Sequence, residues 1–195
     1  MTLVWKFLAS FLIGSIPFAK VAMLGTGIDI TKAGSKNPGF NNVRRIAGWP
    51  RGIVALIGDV SKGFIALVLL SRSETSPMAV WLVGIAAVMG HCWSPFLAFN
   101  GGKGVATTVG VFLFLEPRFT FVCLPLYPLL RVFGWKVMGW KQEGAIASLT
   151  TTFALGNVVL AFRGVEAGVF AYLMFAIVVI RHIPNIREIT ASRHE

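Results

Sequence analysis

Acidic residues are scarce: Asp and Glu number 8 in a chain of 195, against 18 Lys and Arg, for a net charge of +10. Charged residues together make up only 13%, about half the share of a soluble globular domain, which excludes an ordinary cytosolic enzyme. Cysteine is rarer still. Cys92 and Cys123 stand alone inside apolar stretches, so neither a disulfide framework nor a zinc site is indicated. His91, His182 and His194 are scattered, and no metal or other cofactor is expected. Low-complexity tracts, clear internal repeats and a second soluble domain are missing, so residues 1–195 read as a single transmembrane domain. What is abundant is apolar: 55% of residues are hydrophobic and the mean hydropathy is +0.74. That content excludes disorder. The surplus of cations points to an anionic partner, and in so apolar a chain this is a phospholipid surface or a phosphorylated small molecule rather than nucleic acid.

Seven apolar stretches run along the chain, roughly 3–24, 52–70, 78–97, 104–115, 119–132, 144–162 and 164–180. A helix needs about 20 residues to cross the hydrocarbon, which the first three and last two meet. The fourth and fifth are short and separated by Glu116-Pro117-Arg118, a turn or break. They make either two short crossings or a re-entrant pair; two crossings are expected. The predicted fold is therefore an all-α integral membrane bundle of seven helices, two of them short. Charge placement agrees. Twelve cations, Lys141 and Arg193 among them, fall on one side, against Arg72, Arg118 and Arg163 on the other, each near a glutamate (Glu74, Glu116, Glu166). The positive-inside rule then sets the N-terminus outside and the C-terminus in the cytoplasm. The six Trp residues lie at or near predicted span ends, where an indole prefers to sit.

Three segments on the basic side stand out. The first, from Gly34 through Ser35, Asn37, Gly39 and Asn42 to Arg45, is rich in amides, small residues and cations. Gly and Asn tolerate positive φ, so successive N–H groups can form an anion cradle, with Arg45 as a bidentate clamp. A solvated basic loop that only enforces orientation carries similar weight on these residues alone. The second, Gly101-Gly102-Lys103-Gly104, opens directly onto an apolar helix, whose N-terminal amides and dipole favour phosphate. Gly104 follows the lysine where a Walker A loop has Ser or Thr, so no nucleotide is implied; a flexible turn with one topogenic lysine is the bland alternative. The third holds His182 and Asn185, three apart just after the last span, with Pro184 making a regular helix uncertain. By itself this segment reads as interfacial polar residues flanked by snorkelling arginines.

Inside the spans, Asp59 and Lys62 are three apart and read as a structural ion pair rather than a catalytic one. His91 reads as structural, Lys20 as snorkelling, and Gly14 and Ser15 as allowing close helix packing. Ser148 lies near the basic end of its span, where it lines a site or bonds its own backbone. All three segments and Ser148 fall on one face, which suits a phosphorylated molecule reacting with something lipid-like.

The segments Gly34-Ser35-Lys36-Asn37-x-Gly39-x-x-Asn42-x-x-Arg45, Gly90-His91-x-x-x-Pro95, Gly101-Gly102-Lys103-Gly104-Val105-Ala106-Thr107 and Arg181-His182-x-x-Asn185-Ile186 resemble the membrane acyl-phosphate:glycerol-3-phosphate acyltransferases, the PlsY family. The starts Gly14-Ser15-Ile16-Pro17-Phe18 and Asp59-x-x-Lys62-Gly63 match as well, so the likeness covers nearly the whole chain in order. The resemblance implies transfer of a fatty acyl group from acyl-phosphate to the 1-hydroxyl of glycerol 3-phosphate, giving lysophosphatidic acid and phosphate, in the bacterial cytoplasmic (inner) membrane. It implies seven helices with the N-terminus outside and an active site on the cytoplasmic side. Ser35, Arg45, Lys103, His182 and Asn185 are then the residues on which activity depends. Asn37, Gly39, Asn42, Gly101, Gly102, Gly104 and Ser148 are expected at the substrates. A functional link to the enzyme that makes acyl-phosphate from acyl carrier protein follows. Phe40-Asn41, Asn100 and Pro184 depart from the family's usual residues, bearing on substrate placement more than on the reaction.

Acyl-phosphate is already activated and no Ser-His-Asp or Cys-His set is evident, so direct transfer without an acyl-enzyme is expected. The runner-up is a transporter of a phosphorylated metabolite. It fits less well, because the unusual residues gather on one side rather than at the midplane.

Overall fold

A computed structural model of the chain describes residues 2–72, 74, 76–140 and 142–191. Lys141, Arg193 and His194 lie outside the described residues. Among those described, every regular element is helical and none is a strand. Five segments are long and apolar enough to cross a bilayer: Leu3–Ala22, Phe40–Leu70, Pro77–Leu97, Glu143–Arg163 and Val165–Ala191. They correspond to the first three and last two predicted stretches. The chain divides into two compact units, Met1–Phe114 and Leu115–Glu195.

The first unit contains α1 (Leu3–Ser15), α2 (Phe18–Ala22), α3 (Phe40–Leu70), α4 (Pro77–Cys92) and all but the last residue of α5 (Val105–Leu115). Prolines cut the predicted spans. Ile16 turns extended (ψ 121°) ahead of Pro17 and ends α1, because a proline ring disfavours helical geometry in the residue before it. Ser94 does the same (ψ 123°) ahead of Pro95, which opens a single 3-10 turn over Pro95–Leu97. The two breaks are joined, since Ser94 Oγ donates to the Ser15 carbonyl at 2.6 Å. The second span begins at Phe40 rather than near residue 52, with a kink at Gly48 (φ 80°, ψ 177°) just before Pro50. Val105–Leu115 rises only about 16 Å, roughly half the hydrocarbon thickness.

Small residues set the packing. A Cβ on Gly14 would strike the Ala87 carbonyl, and one on Gly90 the Phe11 carbonyl, so α1 and α4 meet backbone to backbone, as glycine-lined membrane helices do. Ser10 Oγ adds a bond to the Val83 carbonyl at 2.6 Å. Gly63 against the Thr107 carbonyl and Gly110 against the Val60 carbonyl bring α3 and α5 equally close. Trp81, near the start of its span, is buried, edge-on to Phe112 at 5.6 Å. Glu74 pairs with buried Lys6.

The second unit contains α6 (Pro117–Cys123), α7 (Leu126–Lys136), α8 (Glu143–Arg163) and α9 (Val165–Ala191). The fifth predicted stretch is two helices, not one, divided at Leu124 and Pro125. Pro125 and Pro128 have no N–H to give the ladder. Arg163 Nε sits 2.9 Å from both Glu116 carboxylate oxygens, and its guanidinium lies over Phe119. Its partner is thus Glu116, not the nearby Glu166. The last helix passes through Pro184 to Ala191 without ending, so His182 and Asn185 are helical residues. Proline is tolerated there at the loss of one i→i−4 bond.

Candidate active site

The loop ahead of α3 is built around Asn42, a residue 2% exposed on the first turn of that helix. Its Oδ1 accepts the Ser35 N–H at 3.0 Å, while its Nδ2 donates to the Ala33 and Ile30 carbonyls at 3.0 and 3.2 Å. Gly34 and Lys36 adopt positive φ (57° and 59°) and turn the chain between these anchors. The result exposes the Ser35 side chain and, on α3, that of Arg45. Asn37 accepts the Gly39 N–H at its carbonyl, at 3.0 Å, and Gly39 precedes the helix in extended geometry. Two neighbouring arginines are engaged elsewhere. Arg51 Nη1 donates to the Ala22 and Leu24 carbonyls at 2.6 and 2.9 Å, capping α2, and Arg44 lies 4.8 Å from the Trp49 ring and 6.0 Å from Phe40. Phe40 thereby gains a role as a cation–π partner.

The glycine loop docks on the end of α4. Gly101 N–H donates to the Cys92 carbonyl and Gly102 N–H to the His91 carbonyl, both at 3.1 Å. These two amides hold the loop against α4. A Cβ on Gly101 would strike the His91 carbonyl, and one on Gly102 the His91 imidazole. Gly104 then takes φ 83° and α5 begins. Half-buried Lys103 and the first turn of α5 are the parts of the segment with the right polarity for a phosphate.

Beneath the loop lie three buried ionisable groups. Asp59 Oδ1 is 2.9 Å from Lys62 Nζ and 3.4 Å from His91 Nδ1. Lys62 also donates to the Ile16 carbonyl at 3.0 Å, a group left without a helical partner by the break at Pro17. Asp59 and Lys62 are each 3% exposed and His91 is 7% exposed. The Asp59–Lys62 pair is the one expected, and buried His91 beside it fits the structural reading of that residue.

In the second unit His182, 1% exposed, donates from Nδ1 to the Val178 carbonyl at 2.8 Å. A carbonyl only accepts, so the Nδ1 proton is fixed and a neutral ring presents Nε2 as an acceptor. Asn185 Nδ2 donates to Gln142 Oε1 at 2.7 Å, and Gln142 Nε2 donates to Glu188 at 2.6 Å. Sequence reasoning missed Gln142: it lies in the linker ahead of α8, and only tertiary contact joins it to α9. Ser148 Oγ donates to the Gly144 carbonyl at 2.7 Å, the ordinary bond of a helical serine. Among the described residues, no three His, Cys, Asp or Glu gather where they could hold a metal ion.

Long apolar helices joined through glycine contacts and buried ion pairs define a multi-pass α-helical membrane protein. The family model described as glycerol-3-phosphate acyltransferase matches residues 4–192. A glycerol-3-phosphate acyltransferase from Neisseria meningitidis serogroup A is 40% identical over 184 residues, covering 91% of this chain and 88% of its own length. One from Thermus thermophilus is 37% identical, covering 79% and 77%. The crystal structure of PlsY, an integral membrane glycerol 3-phosphate acyltransferase, in its glycerol 3-phosphate form is 29% identical with a TM-score of 0.85, covering 98% of this chain and 93% of that one. Its lysophosphatidic acid form gives 30% and 0.84, with the same coverage. The chain belongs to the glycerol-3-phosphate acyltransferase family.

Proposed function

We propose that this protein transfers a fatty acyl group from acyl-phosphate to the 1-hydroxyl of glycerol 3-phosphate, forming lysophosphatidic acid and inorganic phosphate. The observation that carries the reading is the glycine loop. It is locked to α4 by its own backbone and delivers Lys103 and the start of α5, within a chain whose PlsY relatives have glycerol 3-phosphate and lysophosphatidic acid forms. The whole chain acts as one acyltransferase domain, consistent with a family match that runs through both units. It crosses the inner membrane seven times with the N-terminus outside, as the charge asymmetry favours, and works at the cytoplasmic face. Acyl-phosphate would come from the enzyme that makes it from acyl carrier protein.

In this mechanism the glycerol hydroxyl oxygen attacks the acyl carbonyl carbon, the bond from that carbon to the phosphate oxygen breaks, and phosphate leaves with the electron pair. The hydroxyl proton goes to a phosphate oxygen of the donor. Arg45 and Lys103 hold the phosphates and stabilise the charge on the leaving group; positioning of the hydroxyl supplies much of the rest. Asn37, Gly39 and Gly104 shape the cradle, and Ser35 contacts substrate from its exposed position. Asn42, Gly101 and Gly102 line the substrates and also set the loops, through the Asn42 amide and the two glycine N–H groups. His182 and Asn185 are the residues of the second unit on which activity depends, with Asn185 held by Gln142, and Ser148 is a further substrate-binding candidate there.

Detergent-solubilised protein should release phosphate from acyl-phosphate only when glycerol 3-phosphate is added, with lysophosphatidic acid formed in equal amount. Acyl-CoA and acyl carrier protein should not replace the donor. No glycerol-phosphate-dependent release overturns the reaction. Trapping a turnover-competent acyl-Ser35 ester overturns direct transfer alone.

A further inference from the structure

The buried Lys62–Asp59–His91 chain is more than a helix staple. We infer that it is the positioning device for the glycine loop, with the His91 ring as the platform on which Gly102 rests and Asp59 as the group that orients that ring. The inference deepens the proposed role of the loop in binding glycerol 3-phosphate and rests on it.

The groups stand in sequence, the Asp59–His91 step being a 3.4 Å contact rather than a well-formed hydrogen bond. Lys62 is fixed at one end by the Ile16 carbonyl (3.0 Å) and at the other by Asp59 (2.9 Å). Asp59 Oδ1 then faces His91 Nδ1 at 3.4 Å. The opposite edge of the ring, at Nε2, occupies the space a Cβ on Gly102 would need. The His91 backbone closes the circuit by accepting the Gly102 N–H. Gly102 is therefore held by main chain and side chain of one residue, and the next residue along is Lys103. Asp59, Lys62, His91, Ser94 and Gly102 line one small cavity, and the four polar side chains among them are buried. Buried charges are costly unless paired and hydrogen-bonded, and a lone Asp59–Lys62 pair would already serve as a staple for α3. A third ionisable group placed between that pair and a glycine loop is what orientation of the ring requires. Second partners that fix an imidazole commonly govern the group the imidazole supports.

The test measures KM for each substrate, kcat and melting temperature in detergent. His91→Ala and Asp59→Asn should raise the KM for glycerol 3-phosphate about tenfold or more, the loss of one oriented polar contact. KM for acyl-phosphate should stay within about twofold of wild type. His91→Gln, whose amide can still donate toward Asp59, should recover part of the loss. Ser10→Ala is the structural control: it removes a buried α1–α4 bond far from the loop and should lower the melting temperature with both KM values unchanged. Gly102→Ala should be severe in the wild-type background and relieved in His91→Ala, where the ring it collides with is gone. If Asp59→Asn does not fold, the Gln variant and this double substitution still decide. A glycerol-phosphate KM unchanged in the His91 variants, both KM values rising together, or additive Gly102 and His91 effects would overturn the inference. Lys103→Ala separates the two levels: no change in glycerol-phosphate KM there overturns the loop's binding role itself, whereas a raised KM there with normal His91 variants overturns only the positioning device.

Discussion

Ahead of α3 one side chain, Asn42, reaches back to three backbone points of the loop that leads into its helix; ahead of α5 two glycine N–H groups reach two carbonyls of α4 with no side chain between. The first arrangement can be weakened in steps, since each bond of the amide can be lost separately. The second is all or nothing, because carbonyl oxygens and a buried ring occupy the space any Cβ would enter.

The contrast breaks most sharply at Gly101. Gly101→Ala drives a methyl into the His91 carbonyl, and backbone cannot swing aside as a side chain can. A cost of about 1–3 kcal/mol and at least about a hundredfold loss of kcat/KM are expected; activity within a few-fold of wild type would erase the distinction between the loops. Asn42→Ala should be next, destabilising by about 1–3 kcal/mol by orphaning the Ile30 carbonyl and the Ser35 N–H, while the Ala33 carbonyl keeps the Lys36 N–H. Asn42→Asp keeps the acceptor for Ser35 and should fall between Ala and wild type in thermal denaturation. Lys103→Ala should raise the glycerol-phosphate KM about tenfold with little change in melting temperature, as the lysine is half-buried. The smallest effect belongs to Asp29, whose carboxyl is held below its usual pKa first by the Thr31 hydroxyl and then by the Thr31 N–H. A depressed folded-state pKa gives stability that is present above the ordinary value of 3.8 and is lost as pH falls through the lower folded value. Asp29→Asn should therefore lower the melting temperature slightly at neutral pH and flatten the acid-side decline, the two proteins converging below the folded pKa, as read from melting temperature against pH.

The five long helices were legible because a membrane span needs only length and hydropathy, and the Asp59–Lys62 pair because i and i+3 share a helix face. Proline was legible but ambiguous. Pro17 ends a helix, Pro95 opens a 3-10 turn beyond the end of one, Pro125 divides one, and Pro184 lies inside one that continues. Spacing does not say which, because neighbouring elements decide whether the lost bond is replaced. The loops ahead of α3 and α5 were recognisable from composition, yet the direction of their amides was not. Gly101 and Gly102 turn inward to α4 because its last carbonyls need donors, a need visible only once α4 is known to stop at Cys92. Gln142 beside Asn185 and Glu116 beside Arg163 were hidden for the same reason: their partners are 43 and 47 residues away in sequence.

The two buried lysine pairs have different consequences for biogenesis. Lys62 and Asp59 sit one turn apart, so α3 brings its own counter-ion when it leaves the translocon and enters lipid already neutralised. Lys6 has its carboxylate 68 residues downstream at Glu74, beyond the whole of α3. The first helix therefore gains this carboxylate only once the segment ahead of α4 has been synthesised. A cation near a helix end is tolerable while it can snorkel, so the two pairs differ in when their charges can meet: within α3 for one, across 68 residues for the other.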